Sequence, residues 1–183
     1  MLFALSNAIL DASIAAWGTK RVHVSVRPVT AIHYLFGGQN VTAWAGPNLG
    51  TKSIDGGTWR PYQAATVITP PFPEYVSGHS AFSAAGAQIL RYITHSDTFG
   101  ASYTNLAGVS RVEPGMTPAT NITLSWPTFT AAADEAGISR RYGGIHFIDG
   151  DLQGRLMGRR VAEIAWQKAR AYFHTGEGVE NED

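Results

Sequence analysis

The chain has 183 residues, a formal net charge of zero and no cysteine. With only 15% of its residues charged, it has neither the broad basic face of a nucleic-acid-binding protein nor a polybasic membrane patch. Without cysteine it forms no disulfides and no thiolate metal sites, so composition leaves the redox compartment open. Its length and apolar content suffice for one domain, or part of a larger protein, with a substantial core.

The N-terminal residues predict an amphipathic core helix from about residue 2 to residue 20 or beyond. Apolar residues recur there at helical spacing and form one stripe, made of Leu2, Leu5, Ile9, Ala12 and Ala16. Asn7 and Asp11 interrupt the apolar run and no basic segment precedes it, so we predict neither a signal peptide nor a membrane span. Residues 22–26 alternate like a strand, so the helix either ends there or continues to Pro28.

Residues 37–75 are rich in Gly, Pro, Asn and Thr and predict a long loop. A loop of this length in a compact domain is usually a lid or a pocket wall, or else it is disordered. Its scattered aromatic residues favour the ordered alternative, and we therefore expect it to wall a site.

Three further helices are predicted, at about Ser77–Ile93, Phe129–Tyr142 and Asp151–Tyr172, the last with Asp151 as its N-cap. The buried face of the last helix is predicted to consist of Leu152, Leu156, Val161, Ile164 and Ala165. No sheet is predicted. The fold is therefore expected to be all-α, a helical bundle with long ordered loops in one domain of residues 1–172. Residues 173–183 are expected to be an acidic flexible tail.

Three separated stretches carry polar groups that a core does not ordinarily accept. Lys20 and Arg27 lie seven residues apart and would share one face of a helix. Residues 77–79, Ser-Gly-His, stand at a predicted helix start, where backbone N–H groups are unpaired. The third stretch runs from Arg140 to His146 and contains a double glycine that permits a sharp turn.

Together these residue types predict an oxyanion site. Lys20, Arg27 and Arg140 would place three cations in one pocket, where each is costly to desolvate unless an anion balances it. A guanidinium fork suits oxyanions and an ammonium group supplies a compact charge. The Ser77 hydroxyl and the Gly78 N–H add donors at a helix N-terminus. Taken singly, the three stretches also fit a solvated face, an N-cap and a helix C-terminus.

The order K-x6-R-P, S-G-H and S-R-x5-H resembles the three-part signature of the vanadium-dependent haloperoxidases and the type 2 phosphatidic acid phosphatase (PAP2) superfamily. The segments ALSNAILDASIAAWGTK, PPFPEYVSGHSAFSAAG and SRRYGGIHFIDGDLQGRLMGRRVA are all similar to bacterial haloperoxidase-type members. The resemblance covers about residues 5–169. It implies a helical bundle of that type and vanadate as the cofactor, with phosphate or sulfate as alternative occupants.

The resemblance also implies roles for the individual residues. A ring nitrogen of His146 would bind the vanadium of vanadate, Lys20 would polarise bound peroxide, and His79 would be the acid–base group. Asp149 or Asp151 is expected to orient His146, although the phosphatases carry that aspartate four residues after the histidine, where this chain has Gly150.

Three other residues are weaker candidates for the surroundings of the site. Asp11 is a second candidate for an outer carboxylate, with a polar interruption of the helix as the alternative explanation. Trp17 and Phe72 match the aromatic residues that line the halide side in chloroperoxidase-type enzymes, with ordinary packing as the alternative.

Three functions remain open at this point. The first is a haloperoxidase that uses hydrogen peroxide to oxidise halide to hypohalous acid, which halogenates a small organic acceptor. The second is an acid phosphatase with His146 as nucleophile and His79 protonating the leaving alcohol. The third is an inactive phosphate-binding fragment or subunit, because haloperoxidase-type relatives carry a helical half upstream of the Lys20 motif.

An exposed core face would then predict a homo-oligomer or a missing N-terminal helical half as the partner. No nucleic-acid partner is expected. We expect a soluble protein, with secretion and the periplasm among the open compartments.

Overall fold

The computed structural model describes residues 2–174, which form five α-helices and two small antiparallel sheets. The helices are α1 (Leu2–His23), α2 (Pro28–Phe36), α3 (Gly78–Thr94), α4 (Phe129–Tyr142) and α5 (Ile148–His174). The strands are β1 (Asn40–Trp44), β2 (Thr51–Asp55), β3 (Thr98–Asn105) and β4 (Ile122–Thr128). β1 pairs with β2 and β3 pairs with β4, so each sheet is a local two-stranded pair.

The four predicted helices are confirmed, with ends that differ by at most three residues. α1 ends at His23, and a short non-helical link of residues 24–27 leads into α2. α2 begins at Pro28 because proline is favoured in the first turn. α2 was not predicted. The expectation of an all-α fold is wrong in one respect, because residues 40–55 and 98–128 contain paired strands.

Local residue preferences explain one of these sheets. β3 and β4 carry Thr, Tyr, Trp and Ile, which favour extended backbone. Polar residues are so frequent in both strands that apolar and polar residues do not alternate clearly.

The boundary of the predicted tail is also corrected, because residues 173 and 174 belong to α5. The remainder of that predicted tail, residues 175–183, lies outside the described residues.

Small residues let α3 and α5 approach until their backbones are nearly in contact. A β-carbon at Gly154 would lie 2.8 Å from the Ser77 carbonyl oxygen, and one at Gly158 would overlap the Ala81 carbonyl oxygen. These positions are four residues apart and therefore lie on one face of α5. The close approach places the start of α5 directly beside the start of α3.

The buried face of α1 is likewise made of small residues. Ala4, Ala8, Ala12 and Ala16 are buried at four-residue spacing and pack toward α3 and α5. The predicted stripe is confirmed at Ala12 and Ala16 but wrong at Leu2 and Ile9, which are exposed.

The predicted buried face of α5 is also wrong at its large residues. Leu152, Leu156 and Ile164 are exposed, whereas Val161 and Ala165 are only partly buried. Ala162 and Ala169 fill the core positions instead. A closely packed helix pair has no room for large branched side chains at its contact face.

The opposite face of α1 is apolar and exposed. Phe3, Leu10, Ile14 and Trp17 share this face by their spacing, and each is about half or more exposed. Among the described residues one helical stretch, Leu2–Phe36, is long and apolar enough to cross a membrane, judged by length and composition only. A core helix of a soluble protein passes the same test, so a soluble protein is compatible with this structure.

The long loop between α2 and α3 is ordered, as predicted, and Glu113 holds it in place. The Glu113 carboxylate accepts hydrogen bonds from Trp44 Nε1 at 3.1 Å and from Tyr62 Oη at 2.9 Å. It also accepts one from Thr117 Oγ1 at 2.9 Å, in its own loop. Because one carboxylate joins loops far apart in sequence, the segment that follows Tyr62 has a defined path toward the start of α3.

The tight α3–α5 contact yields a stability prediction. Gly158→Ala should destabilise the protein by about 1–3 kcal/mol, because the added methyl group overlaps the Ala81 carbonyl. Gly18→Ala is the matched control, since a β-carbon at Gly18 in α1 meets nothing within 4 Å. It should leave stability unchanged or raise it by up to about 1 kcal/mol. Urea unfolding midpoints check both, and equal midpoints would contradict the packing argument.

Candidate functional site

Three chain regions far apart in sequence meet around one cavity of about 160 Å³. The end of α1 and the link after it contribute Lys20 and Arg27, and the region at the start of α3 contributes Phe72, Gly78 and His79. The end of α4 and the turn after it contribute Arg140 and His146. The structure thus brings together the predicted cationic and imidazole side chains, and Trp17 also lines this cavity.

Lys20 and Arg27 are almost completely buried, and main-chain carbonyl groups hold them. Lys20 Nζ donates to the carbonyl oxygens of Pro73 at 2.8 Å and Glu74 at 2.9 Å. Arg27 donates from Nε to the Phe72 carbonyl at 3.0 Å and from Nη1 to the Ile145 carbonyl at 2.8 Å. Carbonyl dipoles orient these cations without neutralising them, so their positive charge persists in the cavity.

The segment that supplies these carbonyl groups is itself fixed at both ends. Ser25, in the link after α1, accepts from Glu74 N through its carbonyl and from Tyr75 N through its hydroxyl, at 3.1 and 2.8 Å. The Gly150 carbonyl in α5 accepts from Ser77 N at 2.8 Å. The cation-bearing link, the segment and α5 are therefore connected by backbone hydrogen bonds.

The start of α3 presents donors to the cavity. Ser77 is the N-cap, and its hydroxyl accepts from Ser80 N at 3.3 Å. Within the described part of the chain, the N–H groups of Gly78 and His79 have no acceptor. Unpaired N–H groups at a helix N-terminus attract anions, both as donors and through the helix dipole.

Arg140 is the least satisfied of the three cations. Its Nε is buried without a hydrogen-bond partner, and no described residue forms an ion pair with its guanidinium. Gly144, with φ of +70°, turns the chain sharply after α4, as the double glycine predicted. The turn brings Ile145 N back to the Arg140 carbonyl at 3.1 Å and places His146 beside the cavity.

Two neighbours define the tautomer of His146. Arg27 Nη1 lies 3.0 Å from His146 Nε2, and because arginine can only donate, Nε2 is the acceptor. Glu74 Oε1 lies 2.6 Å from His146 Nδ1, which therefore carries the proton. The unshared electron pair of the ring is thus on Nε2.

The electrostatics keep both imidazoles neutral. Burial lowers the pKa of His146 below its usual value, although the hydrogen bond with Glu74 opposes this shift. Partial burial and the positive charge of Arg140 lower the pKa of His79. Burial and the neighbouring Arg27 lower the pKa of Lys20 to about 8, so Lys20 is still mostly protonated at neutral pH.

Aromatic side chains form the remaining wall. The ring of Phe72 lies 5.3 Å from Lys20 Nζ and 5.0 Å from Arg27 Cζ, within range for cation–π attraction. Trp17 packs against Phe72 with ring centroids 4.8 Å apart. Both aromatic residues therefore border the cationic part of the cavity.

The predicted outer carboxylates lie elsewhere. Asp151 is not an N-cap. It is buried in the first turn of α5, where it accepts from Ser80 Oγ at 2.8 Å and pairs with Arg155 at 2.6 Å. Burial alone would raise the pKa of Asp151, but the hydrogen bonds from Arg155 and Ser80 outweigh it and the pKa is lowered. Asp149 is exposed in that turn, and Asp11 is exposed on α1.

Glu74 lies at Nδ1 of His146, the position expected for Asp149 or Asp151, and the sequence reasoning missed it. The only signal was a single acidic residue inside the apolar, proline-rich run PPFPEY. From the sequence alone, Glu74 could equally be a charged residue in a solvent-exposed loop. Only the fold shows that this carboxylate points at His146.

Comparison with known proteins identifies the family of this chain. Residues 1–175 match the family model described as the VCPO second helical-bundle domain. The chain belongs to the vanadium chloroperoxidase (VCPO) family. The match is to the second helical-bundle domain of that family.

Solved structures of bacterial enzymes of this kind are similar to the chain. A bacterial vanadium-dependent chloroperoxidase in its holo form is 32% identical with a TM-score of 0.83, over 90% of this chain and 34% of that one. Its apo form is 32% identical with a TM-score of 0.84, over 90% and 35%. A bacterial vanadium-dependent iodoperoxidase is 31% identical with a TM-score of 0.62, over 90% and 32%. The chain thus spans about a third of these relatives, and no curated protein matches it.

The residues present fit vanadate. Among residues 2–174 no cluster of three or more His, Asp or Glu side chains could hold a metal cation. The cavity instead offers the donors of an oxyanion site, including the unpaired Arg140 Nε and the free N–H groups at the start of α3. His146 Nε2 is a single nitrogen with an unshared electron pair beside these donors, and it would be the atom that binds vanadium.

The lowered pKa of Lys20 predicts how anion binding depends on pH. Sulfate keeps its charge across the range tested, so its affinity should fall as pH rises through about 8 and Lys20 loses its proton. The fall should approach about tenfold per pH unit. Lys20→Arg should remove this dependence because arginine stays charged. Calorimetric titration from pH 6.5 to 9.5 checks it, with Lys20→Met as the uncharged control, and a wild-type profile matching Lys20→Arg would contradict it.

Arg140 should affect binding and stability in opposite directions. Arg140→Met should weaken sulfate binding by about 10- to 150-fold, because hydrogen bonds to a charged group contribute about 1.5–3 kcal/mol. It should not lower the unfolding free energy, since it removes an unpaired, partly buried cation. The exposed Arg160→Met is the matched control and should change neither quantity much. Sulfate titration and urea unfolding measure the two effects, and a parallel loss of both would contradict the assignment.

Proposed function

We propose that this chain carries the vanadate site of a haloperoxidase that uses hydrogen peroxide to oxidise halide to hypohalous acid. One observation carries the proposal: an unpaired guanidinium, that of Arg140, shares a cavity with a neutral nitrogen acceptor, Nε2 of His146. A cation without a counter-ion and a nitrogen with a free electron pair are the two features that an oxyanion with an electrophilic central atom requires.

Each side chain has a role in holding that group. Lys20, Arg27 and Arg140 would hold its oxygen atoms, with the Ser77 hydroxyl and the Gly78 N–H completing the donors. An oxyanion in the cavity would take over the N–H that Arg27 now donates to His146, which frees Nε2 to bind the central atom. Vanadium(V), when bound, supplies Lewis-acid activation of peroxide toward halide.

Proton transfer falls to His79. Its pKa is lowered by partial burial and by Arg140, so at neutral pH its imidazole is unprotonated and can accept a proton from incoming peroxide. Lys20, with one N–H not engaged by a carbonyl, stabilises the negative charge that develops on the substrate oxygen. Phe72 and Trp17 supply the apolar wall along which halide approaches the cavity.

The remaining partners of this activity are halide, hydrogen peroxide and a small organic acceptor that the hypohalous acid halogenates. The exposed apolar face of α1, with Phe3, Leu10, Ile14 and Trp17, would be covered in the active assembly. The cover would be a further helical part, as the relatives' greater length suggests, or a second copy of the chain.

A paired assay tests the proposal. Vanadate-dependent halogenation of a 1,3-diketone by hydrogen peroxide should fall to background in His146→Ala. The matched control is His95→Asn, at the left-handed C-cap of α3 outside the cavity, where asparagine is tolerated. It should retain the activity.

The same preparations should be offered p-nitrophenyl phosphate. Phosphate release without vanadate, inhibited by vanadate and lost in His146→Ala, would overturn the proposal in favour of a phosphatase. Folded protein with neither activity would indicate a phosphate-binding subunit.

A further inference from the structure

We infer that Glu74 is the positioning residue of His146 and that Gly150 is the residue that makes room for it. This inference rests on the proposed function for its consequence, the presentation of Nε2 to vanadate. The arrangement itself is carried by the contacts of Glu74, which is buried and lies between the cavity and the first turn of α5.

Glu74 links two functional side chains at once. Its carbonyl oxygen accepts from Lys20 Nζ at 2.9 Å, while its carboxylate accepts from His146 Nδ1 at 2.6 Å. The carboxylate also accepts from Phe147 N at 3.1 Å, which fixes it relative to the backbone that carries His146. The ring of His146 is therefore held in both position and orientation by one residue.

The carboxylate and Arg27 act on opposite nitrogens of the same ring. Glu74 requires a proton on Nδ1 and Arg27 requires an electron pair on Nε2, so both contacts favour one tautomer. Outer hydrogen-bond partners of this kind fix the tautomer of a metal-binding histidine and make it a better ligand. Glu74 therefore decides which nitrogen is available to the cavity.

The Glu74 carboxylate occupies the volume that a side chain at position 150 would need. A β-carbon at position 150 would overlap Glu74 Oε1 and would lie 2.8 Å from Glu74 Cδ. Any larger residue at position 150 would therefore displace the carboxylate from His146. Conversely, an aspartate at position 150 would place its own carboxylate in the space that Glu74 fills, provided that the Glu74 side chain is removed.

Comparing the binding of sulfate and vanadate distinguishes a role of Glu74 in positioning His146 from a purely structural role. Sulfate binds by charge and hydrogen bonds, whereas vanadate also binds a nitrogen. Glu74→Gln should weaken vanadate binding roughly 10- to 100-fold, the usual cost of losing an outer partner. It should leave sulfate binding unchanged or tighter, because a carboxylate near Lys20 and Arg27 is lost. Measurement at pH 6.5, well below the pKa of about 8 of Lys20 in the wild-type protein, limits the effect of the lower Lys20 pKa expected once the Glu74 charge is removed. Equal losses for both anions would overturn the inference.

Relocating the carboxylate tests the part played by Gly150. Glu74→Ala/Gly150→Asp should bind vanadate substantially more tightly than its matched control, Glu74→Ala/Gly150→Ala, which fills the same space without a carboxylate. Both double variants must first show wild-type-like unfolding transitions, and the comparison is made between them. Equal vanadate affinity in the two folded proteins would overturn the shared-space argument.

The ¹⁵N shifts of His146 provide a readout that needs no bound anion. The wild-type protein should show a single neutral tautomer protonated on Nδ1, and Glu74→Gln should keep it, because the amide oxygen can still accept. Glu74→Ala should raise the share of the tautomer protonated on Nε2, because only Arg27 then favours the other one. A wild-type His146 protonated on Nε2 would overturn the inference. If the tautomer behaves as expected but the wild-type protein binds no vanadate, the proposed function fails while the positioning role stands.

Discussion

The cavity depends on cations that are held by dipoles rather than by opposite charges. Lys20 and Arg27 are buried, yet their hydrogen bonds go mainly to the carbonyl oxygens of residues 72–74 and 145. A carboxylate partner would satisfy these cations and cancel the charge that attracts an anion. Carbonyl groups satisfy most of the donors and leave the charge in place, so the site is organised before any ligand arrives.

This arrangement requires an irregular segment to be placed accurately between helices. The segment before α3 gains its position from Ser25 on one side and from the Gly150 carbonyl on the other. The second contact exists because α5 lies against α3 at backbone distance, which only small residues allow. The glycine and alanine faces of the bundle thus serve the site as well as the core.

Among the described residues, Glu74 places a carboxylate on the side of His146 that faces away from the cavity. Glu74 contacts Nδ1 of His146 and leaves Nε2 beside Arg27. Its negative charge therefore favours one tautomer of His146, and within residues 2–174 the carboxylate forms no ion pair with Lys20, Arg27 or Arg140. Had Asp151 filled this role, its pairing with Arg155 and Ser80 would be lost, and with it a buried connection between α3 and α5.

Much of the fold and the site could be predicted from the sequence because the signals were local. The four long helices follow from periodicity and capping residues, and the turn at Gly144 follows from the absence of a side chain. The exposed positions of Leu156 and Ile164 could not be predicted, since hydrophobic periodicity does not reveal how closely two helices pack. The strands were missed because their residues are mostly polar and their pairing partner, not their pattern, stabilises them.

The sequence by itself determined which chemical groups are available: three cations, two imidazoles and a helix start with free N–H groups, in an order that resembles one superfamily. Only the tertiary structure decided which carboxylate orients His146. Asp149, Asp151 and Glu74 are equally acidic in a sequence, and the candidates closest to His146 in the chain were the wrong ones. Which side chains make contact depends on where the helices bring residues that are distant in sequence. Here the missing side chain at Gly150 leaves room for the Glu74 carboxylate, and the path of residues 72–77 brings it to His146.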